Sequence, residues 1–202
     1  MNEDKKFIEE KIALEEDICN YTFTSLNTNI DGFNCIEFKN CKFSNSNIDN
    51  SSLPHFSFTN TIFENSNLSN CNFEDCSFVR TSFSNCKLLG SSFMNSSFLS
   101  CTFKNCILSY SNFDTSSFKE FKVLDSHLDY TNFDNSKFIK LIIQNSSLFQ
   151  SSFMNVNLRG IDLSTNDISG IIVDKNNLNG LVVNINQAVD LSKLLLLFNT
   201  FK

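Results

Sequence analysis

Residues 71–90 read Cys71-Asn72-Phe73-Glu74-Asp75-Cys76-Ser77-Phe78-Val79-Arg80-Thr81-Ser82-Phe83-Ser84-Asn85-Cys86-Lys87-Leu88-Leu89-Gly90. Four times in this stretch a large apolar residue stands two places after a small one: Cys71 and Phe73, Cys76 and Phe78, Thr81 and Phe83, Cys86 and Leu88. Stepping outward by five in both directions, the apolar residue recurs from Ile18 to Val183, and Thr28 is the sole polar member of the series. A helix repeats every 3.6 residues and a strand every two, so neither holds every fifth residue on one face over such a span. The chain must turn once per repeat. The spacing predicts an unbroken register from 18 to 183.

A second period sets the number of sides. The aliphatic members recur every twenty residues (Ile48, Leu68, Leu88, Leu108, Leu128, Leu148, Ile168), while the series 38, 58, 78, 98, 118, 138 is Phe throughout. Residues twenty apart share an environment, so four repeats make one coil. With neighbouring coils about 4.8 Å apart, as strands in a sheet are, the rod is roughly 40 Å long. The fold class is an all-β solenoid, quadrilateral in section, with four repeats per coil.

The remaining positions agree. Two before the apolar centre the chain prefers Cys, Ser or Thr, as at Cys41, Ser46, Ser51, Thr61, Ser66 and Ser91. This position points inward beside a Phe, where only a small group fits at interior density. Two after the centre Asn and Gly are the favoured residues, as at Asn40, Asn45, Asn60, Gly90, Gly160 and Gly180, and both tolerate positive φ. The sole proline, Pro54, precedes such a position, so the corners read as type II turns or near relatives. Toward the C-terminus the centres shrink while the inward neighbours grow to Leu141, Val156, Ile161, Ile171 and Leu181, which conserves core volume.

Open coils expose core and unpaired backbone, so the ends need caps. Residues 3–16 read as an amphipathic helix covering the first coil, and residues 186–198 as a second, with Asn186 as its N-cap. The chain therefore divides into an N-terminal cap (1–17), the repeat region (18–185) and a C-terminal helix (186–202).

Composition limits function. The chain has 202 residues and a formal charge of −6. Residues 1–17 hold seven acids and three bases, leaving 15 acids and 13 bases in the rest, or −2. A nucleic-acid binder carries a clear basic excess, so no direct nucleic-acid binding is expected. No run approaches the roughly 18 apolar residues needed to span a bilayer, and the opening residues are charged, unlike a signal peptide. A cytoplasmic location, without membrane association, is expected. Six of eight cysteines occupy the small inward position and none has paired zinc spacing. His55 and His127 lie on the surface without a nucleophile arranged beside them, and no phosphate-binding or dinucleotide motif occurs. The expectation is no catalysis, no metal and no cofactor.

The pattern of a small residue, Asn or Asp, a Leu or Phe centre and two outward residues, as in Ser66-Asn67-Leu68, Ser111-Asn112-Phe113 and Thr131-Asn132-Phe133, resembles the pentapeptide repeat proteins over residues 18–185. The resemblance implies a right-handed quadrilateral β-helix. The tail, Leu158-Arg159-Gly160-Ile161-Asp162-Leu163, then Leu178-Asn179-Gly180 and Gln187-Ala188 before a Leu-rich helix, looks like the end of the Qnr-type quinolone-resistance proteins. Those resemble B-DNA in shape and charge, bind DNA gyrase and topoisomerase IV, and protect them from quinolones. Their C-terminal ends pair into a dimeric rod. Carried over, Leu178, Gly180, Gln187, Ala188, Leu191 and Leu194 would form the terminal coil and the homodimer contact. Some family members project loops from their coils; the unbroken register here leaves no room for them.

The twenty-residue period lets surface columns be read directly. One runs Asn34, Pro54, Glu74, Met94, Asp114, Asp134, Met154, Asp174; the next side carries Lys39, Arg80, Lys119, Lys137, Lys140 and Arg159. Glu74, Asp114, Asp134 and Asp174 are the candidate phosphate mimics toward a basic partner. Two carboxylates one coil apart repel by roughly 0.8 kcal/mol in water, which a fold indifferent to charge would avoid. A solvated face with accidental stacking is the plainer reading. Val79, Leu99 and Ile139 in one column, and Ile142, Phe149, Ile172 and Val182 toward the C-terminal half, are outward apolar residues that could mark an interface. Three functions remain open: a DNA-mimicking topoisomerase ligand, an interaction scaffold of the same fold, and an immunity protein against a gyrase-targeting toxin.

Overall fold

The computed structural model describes residues 3–32 and 35–197, with side chains as far as Lys193. The chain is a parallel β-solenoid of about eight turns with two short helices. Residues twenty apart pair across neighbouring coils: Phe38 with Phe58, Phe58 with Phe78, Phe78 with Phe98, and Phe98 with Phe118. Four faces are named here by their central residues. The first contains Phe78, the second Phe83, the third Leu88 and the fourth Phe93.

Three faces contribute ladders of Phe rings to the shaft. On the second face, rings 63, 83 and 103 stack at 4.8 and 4.3 Å with planes 3° and 1° apart. On the fourth, Phe93 and Phe113 stack at 4.8 Å. Rings on adjoining faces meet edge to face, as Phe78 and Phe93 do at 5.8 Å. Both arrangements suit the aromatic quadrupole. The third face is the aliphatic one, and Leu68, Leu88 and Leu108 lie buried and in line along it.

The corners explain the Asn and Gly column. From Asn40 to Gly160 every residue two places after a centre has φ between 49° and 79°. After the third and fourth faces the corner is closed by a turn hydrogen bond, as from Ser91 N to Leu88 O (3.2 Å) and from Ser96 N to Phe93 O (3.3 Å). These are the expected type II turns. The first and second faces instead carry three-residue strands such as Ser77–Val79 and Ser82–Ser84. In two coils the strand continues around the corner, giving Ser117–Leu124 and Lys137–Gln144.

The inward small residues do more than fit. Ser91 Oγ donates to Leu68 O at 2.6 Å and accepts from Cys71 N at 3.3 Å. Thr81, Ser96 and Ser116 donate in the same way to Phe58, Phe73 and Phe93 carbonyls. Where the chain turns, a backbone carbonyl faces the core, and a buried unpaired carbonyl is costly. The small hydroxyl satisfies it. Thiols substitute, as Cys71 Sγ does toward Ile48 O at 3.1 Å. No buried side-chain polar atom among the described residues lacks a partner. Burial pushes the Cys71 and Cys76 thiols up to about 12 and Cys101 up to about 11. Cys86 is raised by its hydrogen bond to Cys106 and then by burial.

The exchange of core volume is present at Val156 and Ile171, both buried. Phe121 makes the same exchange: it fills a normally small position, against Phe98 and Phe103 at 5.5 Å, where the centre is only Val123.

The unbroken register does not hold in the first coil. Asn27 pairs with Asn47 and Glu37 with Ser57, twenty apart, but Asp31 pairs with Ser52, twenty-one apart. Polar Thr28 stays half-buried, and Ile30 is buried instead. The physical reason lies in Phe56, which occupies a normally small position and needs space above it. Gly32 supplies that space: a Cβ there would meet the Phe56 ring at 2.8 Å. Phe33 and Asn34, in the predicted series and column, lie outside the described residues.

Helix α1 (Glu3–Ala13) covers this end with Ile8 buried and Phe7 stacked on Tyr21 at 4.6 Å. Helix α2 (Ile185–Leu197) covers the other. Its N-cap is Asn184, not Asn186. Gln187 N donates to Asn184 Oδ1 (3.0 Å) and Asn184 N donates to Gln187 Oε1 (2.8 Å), a reciprocal capping box. Asn186 stands two residues later, already inside the helix, and does not take this role. Gln187 also anchors α2 through Nε2 to Leu163 O (3.1 Å) and Asn166 O (2.7 Å).

Candidate partner-binding surface

The pairing register assigns every outward residue to a face. Beyond the first coil, the third and fourth faces with their corners carry Asp49, Glu74, Asp75, Asp114, Asp129, Asp134, Asp167 and Asp174 against only Lys87 and Lys175. The first and second faces carry Lys39, Lys42, Arg80, Lys104, Lys119, Lys122, Lys137, Lys140 and Arg159 against Glu37, Glu64, Glu120, Asp125 and Asp162. The rod is polarised across its width.

All four candidate carboxylates are half-buried on the fourth face, and each accepts a hydrogen bond from a neighbouring coil. Glu74 Oε1 accepts from Ser92 Oγ (3.0 Å) and Asp114 Oδ1 from Asn135 Nδ2 (2.7 Å). Asp134 Oδ1 accepts from Ser152 Oγ (2.5 Å) and Met154 N (2.8 Å), and Asp174 Oδ2 from Asn155 N (2.6 Å). These partners are neutral, so the bonds fix the carboxylates without cancelling their charge. On the basic half the opposite holds. Glu64 meets Lys42 at 2.7 Å and Glu120 meets Lys140 at 3.0 Å. The lysine hydrogen bond in each case, with a serine hydroxyl second, holds the carboxyl below its usual range.

The outward apolar residues Leu99, Ile139, Ile142, Ile172 and Val182 are exposed. Sequence reasoning missed another group, on the corner between the third and fourth faces. Tyr110 and Tyr130, 61% and 42% exposed, stack at 4.8 Å with planes 5° apart, and Phe149 meets Tyr130 edge-on at 5.5 Å. The available signal was a tyrosine at a corner position, where Asn or Gly is the rule.

At the C-terminal end the candidate dimer residues separate. Gln187 is buried and Leu191 packs against the core, so both serve the chain's own cap. Leu178 closes a short 3-10 turn (Lys175–Leu178) and is half-buried, whereas Gly180 and Ala188 are exposed. Ile185 and Val189 are exposed beside them, at 83% and 55%. The Leu194 side chain and Phe198 lie outside the described residues. A groove lined by Ile168, Ile171 and Ile172 runs between the last coil and α2.

His55 Nδ1 lies 3.7 Å from Asp75 Oδ2 on the surface, and His127 is exposed. No group of three or more His, Cys, Asp or Glu able to hold a metal ion occurs among the described residues. No helix among them is long and apolar enough to cross a membrane.

Three family models match the chain: "Pentapeptide repeats (9 copies)" over residues 33–82, "Pentapeptide repeats (8 copies)" over 76–114, and "Pentapeptide repeat region" over 96–172. No curated protein sequence matches. Among solved structures, HetL, a pentapeptide repeat protein involved in heterocyst differentiation regulation from the cyanobacterium Nostoc sp. strain PCC 7120, is 13% identical with a TM-score of 0.44, covering 78% of this chain and 83% of that one. QnrB1, a plasmid-mediated fluoroquinolone resistance protein, is 15% identical with a TM-score of 0.38, covering 88% and 97%. Rfr23 from the cyanobacterium Cyanothece 51142 is 13% identical with a TM-score of 0.31, covering 89% and 99%. None of these likenesses bears on what the chain binds.

Proposed function

The chain belongs to the pentapeptide repeat proteins, and from that premise we propose that it is a non-catalytic docking protein whose acidic half occupies a DNA-binding surface of a type II topoisomerase. The observation that carries the reading is the lateral segregation of charge. Carboxylates crowd two adjoining faces, the four stripe members held by neutral donors, while the basic residues of the coils, all but Lys87 and Lys175, lie on the other two. An acidic face of this kind presents a basic protein surface with something akin to a phosphate backbone. The tail's resemblance to Qnr-type proteins supplies the partner: DNA gyrase or topoisomerase IV. The same resemblance assigns the C-terminal end, residues 178–198, to a homodimer contact.

The test is a gyrase supercoiling assay, with and without ciprofloxacin, with this protein titrated in. Wild-type protein should relieve ciprofloxacin inhibition or reduce supercoiling. The double variant Asp114→Lys/Asp134→Lys should lose that effect, most clearly at low salt, where exposed charges are least screened. Absence of any effect of the wild type in either arm would sink the topoisomerase reading.

A scaffold of the same fold without a topoisomerase target is favoured by one observation. The stripe carboxylates each tie two coils together, so their presence also has a purely structural account. The Asp114→Asn/Asp134→Asn variant separates the two, because it keeps an acceptor and removes the charge.

A further inference from the structure

Tyr110 and Tyr130 sit at φ 62° and 58°. That backbone region costs an ordinary L-residue roughly 1–2 kcal/mol relative to glycine, and here two bulky aromatic residues accept the cost on exposed corners. Packing does not explain them, since the core lies on the other side of the backbone. Their rings are parallel and separated by one coil spacing, so the ring planes lie across the rod and the outer face of Tyr110 looks toward the coil before it.

The corner residue of that preceding coil is Gly90, which has no side chain to cover the ring. One coil further back, Asn70 donates through Nδ2 to Asn50 Oδ1 (3.4 Å), and with Gly90 next in the column the pair has no third asparagine to continue it. Asn70 Oδ1 leans into the space over Gly90, 2.8 Å from where a Cβ would stand, and accepts no hydrogen bond among the described residues. The result is a notch one side chain deep, with an aromatic face on one wall and a free carbonyl acceptor on the other. Leu89 is exposed beside it, and Glu74 and Asp114 lie on the adjoining face.

A group fitting this notch must be flat, cationic and a hydrogen-bond donor at its edge. We infer that the Gly90 notch is a recognition site for an arginine side chain of a basic protein partner, its guanidinium stacked on Tyr110 and donating to Asn70 Oδ1. Lysine fits poorly, because its ammonium is a hydrated point charge with no plane to stack. The inference rests on the docking reading above only in taking the partner surface to be basic.

The chain has no Trp and three Tyr, of which Tyr21 is held under α1, so tyrosine fluorescence reports on this corner. Hexa-arginine and hexa-lysine peptides would be titrated into the full chain at low salt, with affinity from calorimetry and fluorescence as the site readout. Hexa-arginine should bind about three- to fivefold more tightly and alone perturb the tyrosine emission. Tyr110→Asn and Gly90→Asn should each abolish that preference. Both introduce a residue the corner accepts, and Gly90→Asn fills the notch while leaving the ring in place. Asp114→Asn/Asp134→Asn should weaken both peptides alike and keep their ratio. Equal binding of the two peptides, binding of neither, or a preference that survives Tyr110→Asn would overturn the inference. An arginine preference with no gyrase effect would retain the notch and remove the topoisomerase.

Discussion

At the scale of single residues, the hydroxyl and thiol column is what makes a five-residue turn affordable to a buried backbone. Ser91 is fully buried, and its Oγ serves Leu68 O and Cys71 N at once. Ser91→Ala should therefore lower stability by about 1–3 kcal/mol, the penalty for orphaned buried groups, read as a shift in the urea midpoint. Ser91→Val should be no better although it restores volume, whereas Ser91→Cys should cost less, because thiols already occupy the equivalent place at Cys71, Cys76 and Cys86. A valine variant as stable as wild type would return the column to packing alone. Sequence reading placed these residues inward on size, correctly, but the carbonyl that most of them meet, as Thr81, Ser91 and Ser96 do, belongs to a residue 23 positions earlier and is visible only once the coil is closed. The same blindness applied to Tyr110 and Tyr130. Scanning the apolar centres passes over the corners, and a strained aromatic there registers only after φ is known.

At the scale of elements, the caps were legible as helices and less so in their details. A Leu-rich run after Gln187-Ala188 is a clear helix signal, yet two asparagines, Asn184 and Asn186, stand near its start. The spacing Asn184-x-x-Gln187 was the available clue, since only that pair can exchange bonds reciprocally. Gln187 joins α2 to the last coil through two carbonyls, while Val189 faces outward. Gln187→Ala should loosen α2, lowering the thermal midpoint and dimer content together. Val189→Glu should lose the dimer in sedimentation equilibrium at unchanged far-ultraviolet circular dichroism. If wild-type protein sediments as a monomer, the C-terminal pairing is wrong.

At the scale of the whole molecule, nearly everything follows from stacking at twenty. The four ladders were readable because a Phe series and a Leu series never cross, and the face assignments that give the charge segregation come with them. The first coil escaped because Thr28 looked like one polar exception, when it marks a one-residue shift that Phe56 and Gly32 settle between them. Such an array should behave as a sum of coils. Excising residues 71–90, one full coil, should leave a folded rod with cooperative unfolding. Excising residues 71–85 removes three repeats and sets Phe ladders over Leu ladders, so that variant should lose its β-sheet circular dichroism. Equal tolerance of both deletions would contradict the stacking rule.

The shifted first coil has a consequence for growth. A solenoid lengthens most simply by laying a new strand on its terminal rung, whether by gene duplication or by docking of another chain. A rung whose fourth face is out of step by one residue is a poor template there, because a strand laid on Asp31 in the regular register would face its side chains the wrong way. The fault at Gly32 thus acts as a terminator written into the backbone. Lengthening of this rod, in evolution or in design, should occur by copying interior rungs and not by extension past the amino end.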